Sequence, residues 1–302
     1  MKNTIGIVIL NYLAYQDTLE CIESIFTQSY KNFEIVVVEN ASPNESLRVL
    51  EETYHNVEKV NIISASENIG FAKGNNLGIK SLKDRGIYNI LVINGDTILT
   101  QKDYLEKLMT IDFPAEVAIV GTEIIGRDGI NQNICKLSDR DLISIQVKEK
   151  YFKKVKLFTQ LGLYPFIRYI VRLLKGKRVV RNSSIYKTQL LDSRANMLHG
   201  SALFFRENYL REYSGFYPDT FLYEEEELLA YICQKLDFRQ MYVHDLSIYH
   251  KEDSSSDMVS GSNKRKELLF KLKYQLVNIE ILKEAIQMTP SQMREKMRDC
   301  IK

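Results

Sequence analysis

The chain has little of what holds small or secreted proteins together. Its four cysteines, Cys21, Cys135, Cys233 and Cys300, stand far apart with no paired spacing. That argues against a zinc site and a disulfide framework, and it suits a reducing compartment. No apolar run is long enough to span a bilayer, and the short run Ile5 to Leu10 stops at Asn11, too soon for a secretory leader. The expectation is a soluble or peripheral protein of the cytoplasm. Charge of one sign is also lacking: a net +2 over 302 residues says little about partners, so electrostatic arguments must come from local clusters. The first strand-to-helix turn, Asn11 to Asp17, contains no glycine, and no lysine follows a glycine-rich loop. The dinucleotide fingerprint and the Walker loop are therefore both absent.

What is present is a core and a rhythm. At 45% hydrophobic content the chain can bury a sizeable interior, as one large domain or two modest ones. Ile5 to Leu10, Phe33 to Val38, Val60 to Ser64 and Ile90 to Ile93 read as buried strands. Between them come helical stretches from about Asp17 (with Asp17 and Glu20 as a capping box), at Ser46 to Tyr54, and through Leu77 to Lys83. Four such alternations predict a doubly wound, Rossmann-like, mainly parallel sheet flanked by helices. Downstream, Gln101 to Thr110 predicts a helix, Val117 to Ile125 a strand, and Leu198 to Phe205 a return to the sheet. Arg239 to Val243 and Leu246 to Tyr249 read as short strands, and Lys264 to Lys302 as C-terminal helices, the last opened by Pro290.

In open α/β sheets ligands bind beyond the carboxyl ends of the strands, and polar clusters gather at those ends here. They are Asn11, then Glu39-Asn40, then the loop Asn68 to Asn76 with Gly70, Lys73 and Asn75, then Asn94-Gly95-Asp96. A carboxylate such as Asp96 at that edge suits a divalent cation that neutralises phosphate oxygens; it reads equally as a turn residue capping the next helix. Gly200-Ser201, beside His199, offers backbone N–H groups to a substrate or marks a tight bend. Glu224 to Glu227 opens a helix, where acids are favourable against the macrodipole. Helical phase carries the buried stripe of Leu228 and Leu229 through Glu225, and a carboxylate at a core edge acquires the raised proton affinity of a general base. His250 stands at the hinge of a polar loop, Lys251 to Gly261, with the composition of a lid. It reads as a metal ligand, a diphosphate contact or an ordinary hydrogen-bonded histidine.

Between Lys148 and Arg181 there are eleven Lys or Arg and one Glu, interleaved with Phe152, Leu157, Phe158, Leu161, Phe166 and other bulky apolar residues. That pattern describes an interfacial helix on an anionic membrane surface. The competing reading is a solvated basic face packed on its own core; the bulk of the apolar side favours the membrane. Nucleic acid is disfavoured, because no recognition helix or aromatic platform is evident.

In this order, the clusters Val8-Ile9-Leu10-Asn11-Tyr12, Val36 to Ser42, Asn68 to Gly78, Asn94-Gly95-Asp96, Gly200-Ser201 and Phe221 to Glu226, ending at His250, resemble the family 2 glycosyltransferases. The likeness is strongest to bacterial rhamnosyltransferase-like enzymes of surface polysaccharide synthesis. The resemblance covers about residues 4 to 255. It implies a glycosyltransferase A-type fold and inverting transfer from a nucleotide sugar (UDP- or dTDP-sugar) to a lipid-linked or polysaccharide acceptor. Residues 1–125 would form the nucleotide-sugar half, 136–192 a basic helical insertion, 193–261 the acceptor half, and 262–302 the C-terminal helices. Carried over by position, Glu39 and the Asn68 to Asn76 loop would contact the nucleoside. Asp96 and His250 would hold Mg²⁺ or Mn²⁺, and the catalytic acid pair falls on Glu225 and Glu226, with Glu226 as base and Glu225 as alternate. The sequence departs from the family pattern in four ways. Glu39 and Glu226 replace the commoner Asp, Asn94 stands where some members carry a first acid, and Leu228 replaces an acid two places after the base. A nucleotide-sugar-binding protein impaired in catalysis is the alternative.

Overall fold

Four runs rich in β-branched residues, Ile5–Asn11 (β1), Phe33–Glu39 (β2), Val60–Ser64 (β3) and Ile90–Asn94 (β4), pair in parallel in the order β3-β2-β1-β4. The right-handed crossovers a parallel sheet requires are made by helices Tyr15–Phe26 (α1), Ser46–Tyr54 (α2) and Gly70–Asp84 (α3). The structure is a computed structural model that describes residues 4–137, 141–166, 187–252 and 263–299. After β4 come Thr97–Ile98 (β5), Tyr104–Thr110 (α4), Val117–Ile125 (β6), Cys135–Lys136 (β7) and Leu142–Gln160 (α5). Then follow Gln189–Leu190 (β8), Asn196–Met197 (β9), Ala202–Phe205 (β10), Glu207–Leu210 (α6) and Glu225–Lys235 (α7). Arg239–His250 (β11), Lys264–Gln287 (α8) and Pro290–Asp299 (α9) complete the described elements.

The sheet continues from β4 through β10, β6 and β11 to β5, with β8 on β11; β7 and β9 form a separate ribbon. Strand β10 is antiparallel to both β4 and β6, and β11 is parallel to β6. Hence β1 to β4, β6 and β11 all run the same way, and β10 begins where they end. Every polar cluster at a strand end therefore lies along one edge. The expected mainly parallel α/β sheet is what forms.

Alternation along β1 sends Ile5, Ile7 and Ile9 to one face, with Ile22 and Ile25 of α1, and Val8 to the other, with Ile79 and Leu82 of α3. The second face also takes in Leu228, Leu229 and Ile232 of α7, and Ile279, Leu282, Met293 and Met297 of the last two helices. The last two helices thus pack back on the sheet. Burying each such side chain is worth roughly 1.5–3 kcal/mol.

Local details depart from the sequence reading. Helix α1 starts at Tyr15 without a side-chain cap; Asp17 and Glu20 instead both pair with Lys251, so a long-range ion pair replaces the expected capping box. The two short strands expected between Arg239 and Tyr249 are one strand with a register shift between Tyr242 and Ser247, where Asp245 adopts φ +68°. The loop expected from Asn68 to Asn76 is already helical from Gly70. In α5, Phe152 turns inward onto the core whereas Leu157 and Leu161 stay exposed. The remainder of the basic segment, 167–186, and most of the lid, 253–261, lie outside the described residues.

Gly70 fastens the start of α3 to the segment that leads into α7. It has φ +83°, and a Cβ there would run into the Phe221 carbonyl and ring, while the next amide, Phe71 N–H, donates to Phe221 O at 2.6 Å. Gly86, φ +81°, has open space around it. Gly86→Ala is therefore expected to cost about 1–2 kcal/mol, the left-handed backbone penalty alone. Gly70→Ala should cost roughly 2–4 kcal/mol, because overpacking adds to it. Urea denaturation of the two variants measures the difference, and equal losses would show that the Phe221 contact is slack.

Candidate active site

Asp96 follows β4 directly, and β5 then pairs with the end of β11, setting Thr97 opposite His250. Lys251 N–H donates to the Asp96 carbonyl at 2.9 Å, which fixes the junction. Asp96 Oδ1 lies 3.3 Å from His250 Nε2. The far side of the ring is set by Gln132, whose Oε1 is 2.9 Å from His250 Nδ1 and whose amide nitrogen donates to the Glu252 carboxylate. A carboxylate only accepts, so Gln132 must present its oxygen to the histidine, and Nδ1 carries a proton. In the neutral ring the Nε2 lone pair then faces Asp96. Two electron-rich atoms held this way fit a shared cation: cis ligands at about 2.1–2.2 Å stand roughly 3 Å apart. Among the described residues no group of three His, Cys, Asp or Glu is placed to hold a metal ion. Two protein ligands nonetheless suit Mg²⁺ or Mn²⁺, which complete their shell with water and phosphate oxygens.

Asp96 and His250 form part of the wall of a cleft of about 530 Å³, lined also by Asn11, Asn40, Asn68, Gly70 and Asn94 from the strand-end clusters. Asn40 organises the wall at the ends of β2 and β3. Its Oδ1 accepts from Ile69 N–H at 2.9 Å and its Nδ2 donates to Asn68 Oδ1 at 3.0 Å. Glu39 sits beneath this wall, 1% exposed, accepting from Ser42 N–H at 3.0 Å and Asn11 Nδ2 at 3.4 Å. Lys73 lies on the exposed side of α3. Asn75 is buried in the same helix, donating to Phe71 O at 3.0 Å, so helical geometry turns both away from the cleft.

The four glutamates at the start of α7 divide between three surroundings. Tyr223 and Glu224 enter the helix at φ +75° and +68°, and Glu224 and Glu227 both pair with Lys148 of α5. Glu226 Oε1 accepts from Gly200 N–H at 3.1 Å, and a Cβ at Gly200 would strike that same oxygen; the glycine is what lets the carboxylate approach. Burial raises the Glu226 carboxyl above its ordinary value. Glu225 is buried, as helical phase required. Its Oε1 has no hydrogen-bond partner among the described residues, and burial, followed by the charge of Glu226, pushes its carboxyl well up.

His199 joins the two foci. It lines the cleft, its ring meets that of His250 edge-on at 5.7 Å, and its neighbour Gly200 holds Glu226. Ser201 N–H donates to His199 Nδ1 at 3.2 Å. The ring, pushed down to about 4 by burial and by His250, therefore stays neutral with its proton on Nε2. In the sequence His199 stands out only as the neighbour of Gly200-Ser201, and nothing marks Gln132, 118 residues from the histidine it orients. Lys266, Glu267 and Phe270 of α8, which close one wall, carry no local signal either.

The family described as Glycosyl transferase family 2 matches over residues 5–173. The chain is 25% identical over 236 residues to the low-salt glycan biosynthesis hexosyltransferase Agl10 of Haloferax volcanii, covering 78% of this chain and 63% of that protein. It thus spans a little under two thirds of that relative's length. Among solved structures, S. aureus TarS 1-349 in complex with UDP-GlcNAc superposes with a TM-score of 0.54 at 13% identity, covering 94% of this chain and 71% of that one. The mannosyltransferase PcManGT from Pyrobaculum calidifontis, in complex with GDP-Man and Mn²⁺, gives 0.51 at 12%, covering 93% and 72%. The fold is of the glycosyltransferase A type.

Glu225 supplies a stability test. Its folded carboxyl is raised above the ordinary 4.5, so folding penalises the ionised form. The cost is absent below about pH 4.5 and grows as pH rises toward the folded value. Glu225→Gln should therefore raise Tm at pH 8 and leave it nearly unchanged at pH 4. A uniform fall at both would mean that the carboxylate is paired.

Proposed function

Since the chain belongs to Glycosyl transferase family 2, we propose that it transfers a sugar, with inversion, from a UDP- or dTDP-sugar to a lipid-linked or polysaccharide acceptor in cell-surface glycan synthesis. The acceptor would be met at the cytoplasmic face of a membrane with an anionic surface. The observation that carries this reading is the cleft itself: one cavity takes in the Asp96–His250 pair, the Asn40–Asn68 network and His199, whose neighbour Gly200 grips Glu226.

The nucleoside lies along Asn11, Asn40 and Asn68, above the buried Glu39. Asp96 and His250 would hold Mg²⁺ or Mn²⁺, which would supply positive charge to a diphosphate. Glu226 takes the proton of the acceptor hydroxyl as that oxygen attacks the anomeric carbon opposite the leaving nucleotide, and its raised proton affinity suits a base. Gly200 N–H keeps one carboxylate oxygen in place, leaving the other for the acceptor. Glu225, deeper and lacking a partner for Oε1, is the alternate base. The runner-up reading, a nucleotide-sugar binder impaired in catalysis, draws on the metal site's two protein ligands.

Two measurements test this. Glu226→Gln should lower kcat by about 10²–10⁴-fold while leaving donor binding intact; full turnover would remove Glu226 from the mechanism. In a thermal-shift screen, UDP with Mn²⁺ should raise Tm beyond UDP alone, since ligands that bind only the native state stabilise it. Asp96→Asn should abolish that increment, and its survival would move the cation elsewhere.

A further inference from the structure

Helix α5 has two faces with different fates. Ile145, Lys148, Phe152, Val155 and Thr159 turn inward, buried or packed against the core or tied to α7. On the opposite side, Ile143, Val147, Lys150, Lys154, Leu157 and Leu161 recur in steps of four and three, which is one stripe of an α-helix. Ile143, Val147, Leu157 and Leu161, with Tyr151 beside them, are 52–72% exposed. Isolated exposed apolar residues need no explanation; an aligned stripe of large ones does. The only acid between residues 142 and 166 is Glu149, and it is taken up by Lys153 and Lys283. The free face therefore carries bulky apolar side chains and positive charge, with no exposed carboxylate.

We propose that this face of α5 is an in-plane docking surface for an anionic lipid bilayer. Charge complementarity selects the occupant. A second copy seated face to face would bring Lys150 and Lys154 against their own counterparts with no acid to pair them. A nucleic acid would leave the apolar stripe unburied. An anionic bilayer satisfies both: the headgroups meet the lysines while the apolar side chains enter the boundary beneath them. The inner face links this surface to the cleft. Lys148 pairs with Glu224 and Glu227 at the start of α7. Helix α8, which lends Lys266, Glu267 and Phe270 to the cleft wall, packs along α5 and is latched to it by Lys283–Glu149 and by Arg265 on Gln160 O. A docked α5 would hold α8, which forms one wall of the cleft, on the order of one helix diameter, about 10 Å, from the lipid. The surface deepens the proposed membrane-side acceptor and rests on it for its purpose, but not for its test.

The test is co-sedimentation of the full chain with vesicles of phosphatidylcholine alone or mixed with phosphatidylglycerol. Binding to the mixed vesicles, weaker in high salt and weak on phosphatidylcholine, is expected. The double variant Val147→Ser/Leu161→Ser should lower partitioning by at least about tenfold, and Lys150→Gln/Lys154→Gln should reduce the preference for anionic lipid. Ile130→Ser, an exposed apolar residue elsewhere, should bind as the wild type does, with unchanged melting curves verifying that each variant folds. Glu226→Gln should bind vesicles normally, so a failed transfer mechanism and a failed docking surface give different results. Absence of wild-type binding to anionic vesicles, or undiminished binding by Val147→Ser/Leu161→Ser, overturns the proposal. So does a wild-type dimer that the same double variant makes monomeric without any vesicle binding.

Discussion

The site depends on one antiparallel strand. Ala202–Phe205 inserts between two strands that run the other way, pairing Ala202 with Ile93 and Phe204 with Val120. Because it runs against them, the residues that precede it, His199 to Ser201, are delivered to the edge where the parallel strands end. Asn94 N–H donates to Ser201 O at 2.9 Å and closes the junction. A parallel strand in that place would have brought its carboxyl end to the edge instead, with Arg206 and Glu207 where the histidine and glycine now stand. The placing of His199 with Asp96 in the cleft wall, and of Gly200 N–H against Glu226, follows from that reversal of direction.

The second constraint is the cost of acids. Glutamates in the first turn of α7 gain from the helix dipole, yet that gain is small beside the desolvation of a carboxylate. The structure resolves the conflict differently for each side chain. Glu224 and Glu227 share a lysine from another helix, Glu226 takes a backbone N–H, and Glu225 has no partner for one buried oxygen and responds with a raised proton affinity. Buried polar atoms without partners are destabilising, so the unpaired oxygen of Glu225 costs stability. Gln132 stands behind His250, where it fixes the proton of the ring on the side away from Asp96.

The later helices are structural partners of the site rather than appendages. Helix α8 carries side chains into the cleft wall and others into the core, and Asn278 of that helix donates to the carbonyls of Leu222 and Tyr223 at 2.8 and 2.7 Å. Those bonds brace the left-handed turn at Tyr223–Glu224 from which α7 departs. Gly70, at the start of α3, braces the same segment from its other flank through Phe221. The entry to α7 is thus held from both flanks.

Much of this was written in local pattern. The runs of Ile and Val, the polar residues that end them and the alternation with helices determined a doubly wound sheet with Asn11, Asn40, Asn68, Asn94 and Asp96 along one edge, because strand period and chain direction are local properties. Helical phase likewise told Glu225 from its neighbours. Local pattern misled at Asp17 and Glu20, whose spacing fits a capping box but whose partner, Lys251, lies more than 230 residues away. In α5 local pattern leaves open which side turns inward, and that is decided by what Lys148 and Phe152 meet across the chain. Only the tertiary structure decided that Glu226 reaches Gly200, that Gln132 sets the ring of His250, and that Lys73 and Asn75 turn from the cleft. Each of these depends on contacts between segments far apart in sequence, and no periodicity along the chain encodes a distance across it.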